Sequence, residues 1–301
     1  MALRTTVTER QRRIGAELKK LREQAKLTVS EAGASIGMGR VHLTHVEGGH
    51  TAIPPERIRT LCQSYGVTCA PYIDELVSMA LSDGKGWWSS YRKTMRQRAL
   101  DLAELESRAT ALQGYETLVI PGLLQTESYM RALFRDSLAD STPDEVDTLV
   151  QFRMERQSIL SPPQSAQLHV VIHEAALRVV IGSRHVMQEQ ITHLLTAARF
   201  PNLTIQVRPF DAGSSRWISA PFSIVRPGAP GLETVVAEHP SARLNLDDRE
   251  EISQYSSTFD SLRKTALAPV VADHPPEAHA GRDSCTLLQH LLYTHQGNSY
   301  A

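Results

Sequence analysis

The stretch Thr28 to Gly49, TVSEAGASIGMGRVHLTHVEGG, constrains the fold of this chain more tightly than any other segment. Thr28 is an N-cap with Glu31 three residues on as its capping-box partner, and the helix it opens runs from Val29 to about Ile36. Gly37 follows where a tight turn needs positive φ. Gly39 precedes a second helix, Arg40 to Glu47, closed by Gly48 and Gly49. Ala32 and Gly33 are small where the two helices meet, and Ile36, Met38, Leu43 and Val46 fall on the buried side. Arg40, Val41, His42, Thr44 and His45 are left facing outward.

The flanking sequence extends this into an all-α unit. Ile14, Leu18, Leu21 and Ala25 form the apolar stripe of an amphipathic helix over residues 10–25, with Lys and Arg on its other face. Pro54 and Pro55 suit the first turn of a fourth helix reaching Tyr65, and Pro71 starts a fifth that ends at Leu81. Residues 1–65 hold eleven basic side chains against six acidic, a surplus of five, while the whole chain of 301 residues is −1, so the remainder stands at about −6. A basic end on an acidic body predicts one module that faces nucleic acid and another with a different task.

An exposed Arg at the start of such a second helix donates two bonds to guanine, Thr and His bond base edges or phosphates, and Val41 touches a thymine methyl. The N-terminal part of that helix enters the major groove in a helix-turn-helix, while Thr28 and the first-turn amides from Val29 lie against a phosphate. The DNA-binding set is therefore Thr28, Val29, Arg40, Val41, His42, Thr44 and His45. The run LKKLREQAKLTVSEAGASIGMGRVHLTHVEGG resembles the Xre/Cro/phage-repressor family of DNA-binding domains. Gly39 departs from it, since that family often has a serine able to cap the helix or reach DNA there.

Ser82 to Gly86 breaks the helical pattern and marks the end of the 1–82 domain. A linker helix from about Trp88 to Leu112, within a linker of residues 83–115, leads to an α/β domain over 116–268. Its strands are ETLVI (116–120), QLHVVI (167–172), NLTIQVRPF, APFSIVRP, LETVVAEH and ARLNL, on a mixed sheet. Helices fall near 126–136, 143–160, 174–181, 185–199 and over DDREEISQYSSTFDSLRKTAL. From 269 to 301 the chain reads as a polar, Pro-rich, flexible tail.

Catalytic and metal patterns are missing from this second part. His169 and His173 are four apart, but on a strand that spacing spans roughly 13 Å, too far for one ion. His173 with Glu174 reads as a strand end followed by a helix-capping carboxylate rather than an acid/base pair. VIPGLL and RPFDAG are glycine turns with no nucleophile or phosphate cradle. Cys62, Cys69 and Cys285 are scattered free thiols. Trp87, Trp88 and Tyr91 form an aromatic anchor for effector or interdomain coupling. No cofactor, no metal and no enzyme activity are expected, and neither is a membrane span, since no run of eighteen apolar residues exists.

GWWSSYRKTM, VIPGLLQTESYMRALF, RMERQSIL, VIHEAALRVVIG, PNLTIQVRPFDAG and EISQYSSTFDSLRKTAL together resemble the uncharacterised domain that follows an Xre-type helix-turn-helix in many actinobacterial regulators, including WhiJ-like developmental regulators. The resemblance covers about residues 85–268. It implies a transcription regulator, often encoded beside a small partner protein; a start without the apolar stretch and cleavage site of a signal peptide predicts a cytoplasmic protein, nucleoid-associated when on DNA. The expectation is a homodimer on an inverted-repeat operator in double-stranded DNA, answering to a small partner protein or a small-molecule effector. The alternative is an antitoxin-like adaptor whose DNA binding is autoregulatory.

Overall fold

The computed structural model describes residues 6–138, 141–213, 220–239, 242–271 and 282–296. The chain divides into two compact units, one of residues 1–108 with 227–232, the other of 109–226 with 233–301.

The first unit is helical: α1 (Glu9–Gln24), α2 (Val29–Ser35), α3 (Arg40–Glu47), α4 (Pro55–Ser64), α5 (Ala70–Leu81) and α6 (Gln97–Ser107). Capping boxes at Thr8 and Thr28 start α1 and α2, satisfying amides that a helix N-terminus otherwise leaves without partners. Leu18, Leu43, Ile58, Leu61 and Leu76 are wholly buried and meet in one core. Ala229 and Leu232, from the segment Pro227–Leu232, are buried in the same cluster. Gly231 lies there at φ +87°, where an added Cβ would come within 3.5 Å of the Tyr72 ring. Arg10 fastens α6 and α5 to α1, donating at 2.5 Å to Glu104 and at 2.5 Å to the Met79 carbonyl.

The second unit is built on a six-stranded mixed sheet, in the order β3-β2-β1-β4-β5-β6. Its strands are β1 (Ala109–Glu116), β2 (Gln167–His173), β3 (Leu203–Arg208), β4 (Phe222–Pro227), β5 (Thr234–His239) and β6 (Ala242–Leu246). β1, β2 and β3 are parallel, and β4, β5 and β6 pair antiparallel. The helices are α7 (Glu127–Ser137), α8 (Pro143–Arg156), α9 (Glu174–Arg178), α10 (Arg184–Ala197), α11 (Arg249–Thr265) and α12 (Ser284–Gln296). Phe259 and Leu262 of α11 bury against Tyr115, Val171, Phe222, Ile224 and Val235 on one face of the sheet.

Three expectations fail here. The single helix over 88–112 is a 3-10 turn at Trp87–Tyr91, then α6, then the first half of β1. ETLVI is not the first strand: β1 ends at Glu116, and Ile120 lies beyond it, its amide donating to the Tyr129 hydroxyl at 3.2 Å. The tail carries α12, whose Leu288 and Leu291 are buried and which packs on α10 and β3. The Ser284 hydroxyl takes the Val207 amide at 2.9 Å, while Leu267 and Val270 donate to the Val207 and Ile205 carbonyls. These bonds cover the outer edge of β3, which would otherwise offer open backbone groups to another strand. Residues 272–281 and 297–301 of that tail lie outside the described residues.

Candidate nucleic-acid interface

The two helices that frame the interface are held from behind. Gly33 accepts the Met38 amide at 2.8 Å, and a Cβ on Gly33 would come 2.3 Å from the Met38 carbonyl oxygen. Only a residue without a side chain permits that approach. Gly37 turns the chain at φ +62°. Leu43 and Val46 of α3 are buried at 0% and 2% exposure. Gly15 of α1 makes a second close approach, since a Cβ there would lie 2.4 Å from the Glu47 carbonyl oxygen.

Across that contact runs a buried ion pair. The Arg22 guanidinium of α1 donates through Nε to Glu47 Oε1 at 2.7 Å and through Nη2 to Oε2 at 3.0 Å. Its Nη1 reaches the Leu27 carbonyl at 2.9 Å, so one side chain holds the end of α3 and the turn that leads into α2. The bond to Glu47 raises the Arg22 pKa further. Gly15 and this pair went unnoticed in the sequence; their signal was an Arg and a Glu at opposite ends of the motif on otherwise apolar faces.

On the frame, α3 presents Arg40, Val41, His42 and Thr44 to solvent, with His45 half-exposed. Val41 is 70% exposed, although an isolated valine on a helix is ordinarily turned inward. The Thr44 hydroxyl donates to the Arg40 carbonyl at 3.0 Å, which leaves its oxygen free to accept. Gly39 caps α3 with no side-chain bond. The His45 ring stands edge-on to His50 at 6.5 Å.

At the start of α2, Thr28 is exposed and Val29 packs partly on the core. The Thr28 hydroxyl and amide both donate to Glu31 Oε2, at 2.7 and 2.8 Å, and the Glu31 amide donates back to the hydroxyl at 3.2 Å. These bonds hold the exposed Glu31 carboxyl below its usual range. Of the first-turn donors at this helix end, the amides of Val29 and Ser30 are the two that the capping box leaves over. Lys26, exposed on the turn before α2, has φ +57°.

Trp87, Trp88 and Tyr91 come together in the first unit. Trp87 meets Trp88 edge-on at 5.9 Å and Tyr91 at 6.2 Å, and Trp88 and Tyr91 are buried. A Cβ on Gly86 would run into the Trp88 ring.

In the second unit, His169 and His173 take separate partners. His169 Nε2 lies 2.7 Å from Gln206 Oε1, and because Gln206 Nε2 donates to the Arg263 and Leu267 carbonyls, the His169 nitrogen is the donor. His173 Nδ1 accepts the Ala175 amide at 3.1 Å, so the imidazole, and not the Glu174 carboxylate, caps α9. Glu174 instead takes the Phe210 amide at 3.0 Å and Arg178 at 2.6 Å. Among the described residues no group of three or more His, Cys, Asp or Glu could hold a metal ion, and no helix is long and apolar enough to cross a membrane.

Two family models match the chain. One, described as a helix-turn-helix domain, matches residues 13–72, which span α2, α3 and every residue of the interface. The other, described as a domain of unknown function (DUF5753), matches residues 99–272. No curated protein and no solved structure matches.

Proposed function

We propose that this chain, which belongs to the DUF5753 family and carries a helix-turn-helix domain ahead of that family's domain, is a sequence-specific transcriptional regulator of Xre type. The observation that carries the reading is the outward face of α3, where Arg40, Val41, His42 and Thr44 are exposed over a buried Leu43 and Val46. Those side chains match what major-groove edges ask for: a bidentate donor for guanine, an acceptor and donors for mixed edges, and an apolar contact for thymine. The first-turn amides of Val29 and Ser30 and the exposed Lys26 suit phosphates, which set register but carry no sequence information.

One recognition helix reads few base pairs, so the reading includes a homodimer on an inverted repeat with half-sites about 34 Å apart. The protein acts without a cofactor and is not an enzyme; the second unit assembles the dimer, answers to an effector, or both. Selection of bound sequences from a random duplex pool by the full chain tests this. An enriched palindrome is the expected result, and an unenriched pool contradicts it.

A further inference from the structure

Among the described residues, three arginine side chains no more than a tenth exposed take carboxylates. Arg10 pairs with Glu104, Arg13 with Glu17 and Arg22 with Glu47. Arg208 is 5% exposed, yet its partners among the described residues are neutral: the Gly213 carbonyl at 2.6 Å, the Thr265 hydroxyl at 3.4 Å and the Tyr115 hydroxyl. A guanidinium has more N–H donors than these acceptors use, and a buried charge is ordinarily paired. Thr265 ends α11, so the carbonyl end of that helix offsets part of the charge. It does not fill the remaining donors.

Arg208 is the last residue of β3 and stands in register with His173, the last residue of β2. Since His173 Nδ1 accepts the Ala175 amide, its Nε2 carries the proton and is a donor. The Phe210 ring, 60% exposed, stands edge-on to the His173 ring at 5.2 Å. Two donor side chains and an aromatic surface thus stand together at the C-terminal ends of two neighbouring parallel strands.

We infer that Arg208, His173 and Phe210 form a binding site for a small aromatic carboxylate, with the carboxylate on Arg208 and His173 and the ring against Phe210. Nε and Nη2 of Arg208 already donate to Thr265 and Gly213, so the carboxylate takes the guanidinium N–H donors left over, and Phe210 supplies the apolar contact that inorganic anions cannot use. This deepens the effector part of the proposed function, but its measurement contains no DNA, so its failure leaves the reading of α3 untouched.

The test is titration of the full chain with sodium benzoate, sodium phosphate and sodium chloride at matched ionic strength, followed by the thermal midpoint and by the ring nitrogen resonances of His173. Benzoate should raise the midpoint saturably above chloride and move the His173 Nε2 signal. Arg208→Met should abolish both effects, Arg208→Lys should retain part, and Phe210→Ala, at an exposed position, should weaken benzoate about tenfold. A benzoate response no greater than chloride, or one undiminished in Arg208→Met that circular dichroism shows to be folded, overturns the site. Equal responses to phosphate and benzoate, unchanged by Phe210→Ala, overturn the ligand class.

Discussion

Glu47, the last residue of α3, holds both Nε and Nη2 of Arg22 at 2.7 and 3.0 Å, and each side chain is more than nine-tenths buried. The pair anchors α3 to α1 beneath the outward face of α3. Removing one partner leaves an uncompensated buried charge, so Glu47→Ala is expected to cost about 3–5 kcal/mol. Urea unfolding monitored by helical circular dichroism measures it. A loss under about 1 kcal/mol would mean that water reaches Arg22 and the pair is not the anchor.

Gly33 and Gly37 separate two reasons for a glycine. Gly33 faces the Met38 carbonyl at a distance that no Cβ tolerates, whereas Gly37 has positive φ with nothing within 4 Å of an added Cβ. Gly33→Ala must shift α2 away from the turn and is expected to cost about 1–3 kcal/mol or more. Gly37→Ala bears the left-handed backbone alone, about 1 kcal/mol. Equal unfolding midpoints for the two variants would contradict the close approach.

The core of the first unit includes Leu232, which arrives from a segment more than a hundred residues downstream of the helices it packs among. Leu232→Ala in the full chain is expected to destabilise that unit by about 2–5 kcal/mol. Faster amide hydrogen exchange in α5, which carries Tyr72, is the direct readout. Unchanged protection there would show that α5 needs nothing from residues 227–232.

Acid should loosen the second unit. Burial holds the imidazoles of His169, His173 and His193 below their usual value. The folded state therefore binds fewer protons than the unfolded chain, and stability falls as pH drops below the unfolded value of about 6.5 toward the folded ones. His169 donates to Gln206 as a neutral ring, so His169→Gln should flatten the slope of thermal midpoint against pH between about 7.5 and 5.5. An unaltered slope would place the proton uptake at other residues.

The helix-turn-helix was legible because its signals are local: a capping box at Thr28, glycines at the turns and an apolar stripe with a 3.6-residue period. In the second unit the strands β2 to β6 and the helices α7 to α11 were legible, the β-branched QLHVVIH of β2 most plainly. β1 reads ATALQGYE, whose Ala, Gln and Gly are weak strand formers that continue the helical pattern of α6, so its place between β2 and β4 is set by tertiary pairing. ETLVI has the strand composition but lies where the chain turns off the sheet. α12 follows a Pro-rich stretch and has His and Thr among its leucines, so its apolar face shows only once α10 and β3 cover it. The ion pair of Arg22 with Glu47 and the lone charge of Arg208 depend on contacts that no spacing announces.

In the proposed regulator α3 reads bases while the turn before α2 grips the backbone. The measurement that tests it most directly is equilibrium binding of the full chain to its selected duplex and to single-base variants of it, for Arg40→Ala and Lys26→Ala, across a salt series. Arg40→Ala should lose about 1–3 kcal/mol and relax preference at one base pair, and Lys26→Ala should weaken every duplex alike and lower the salt slope by about one. Unchanged affinity and unchanged base preference in Arg40→Ala would contradict base reading by α3.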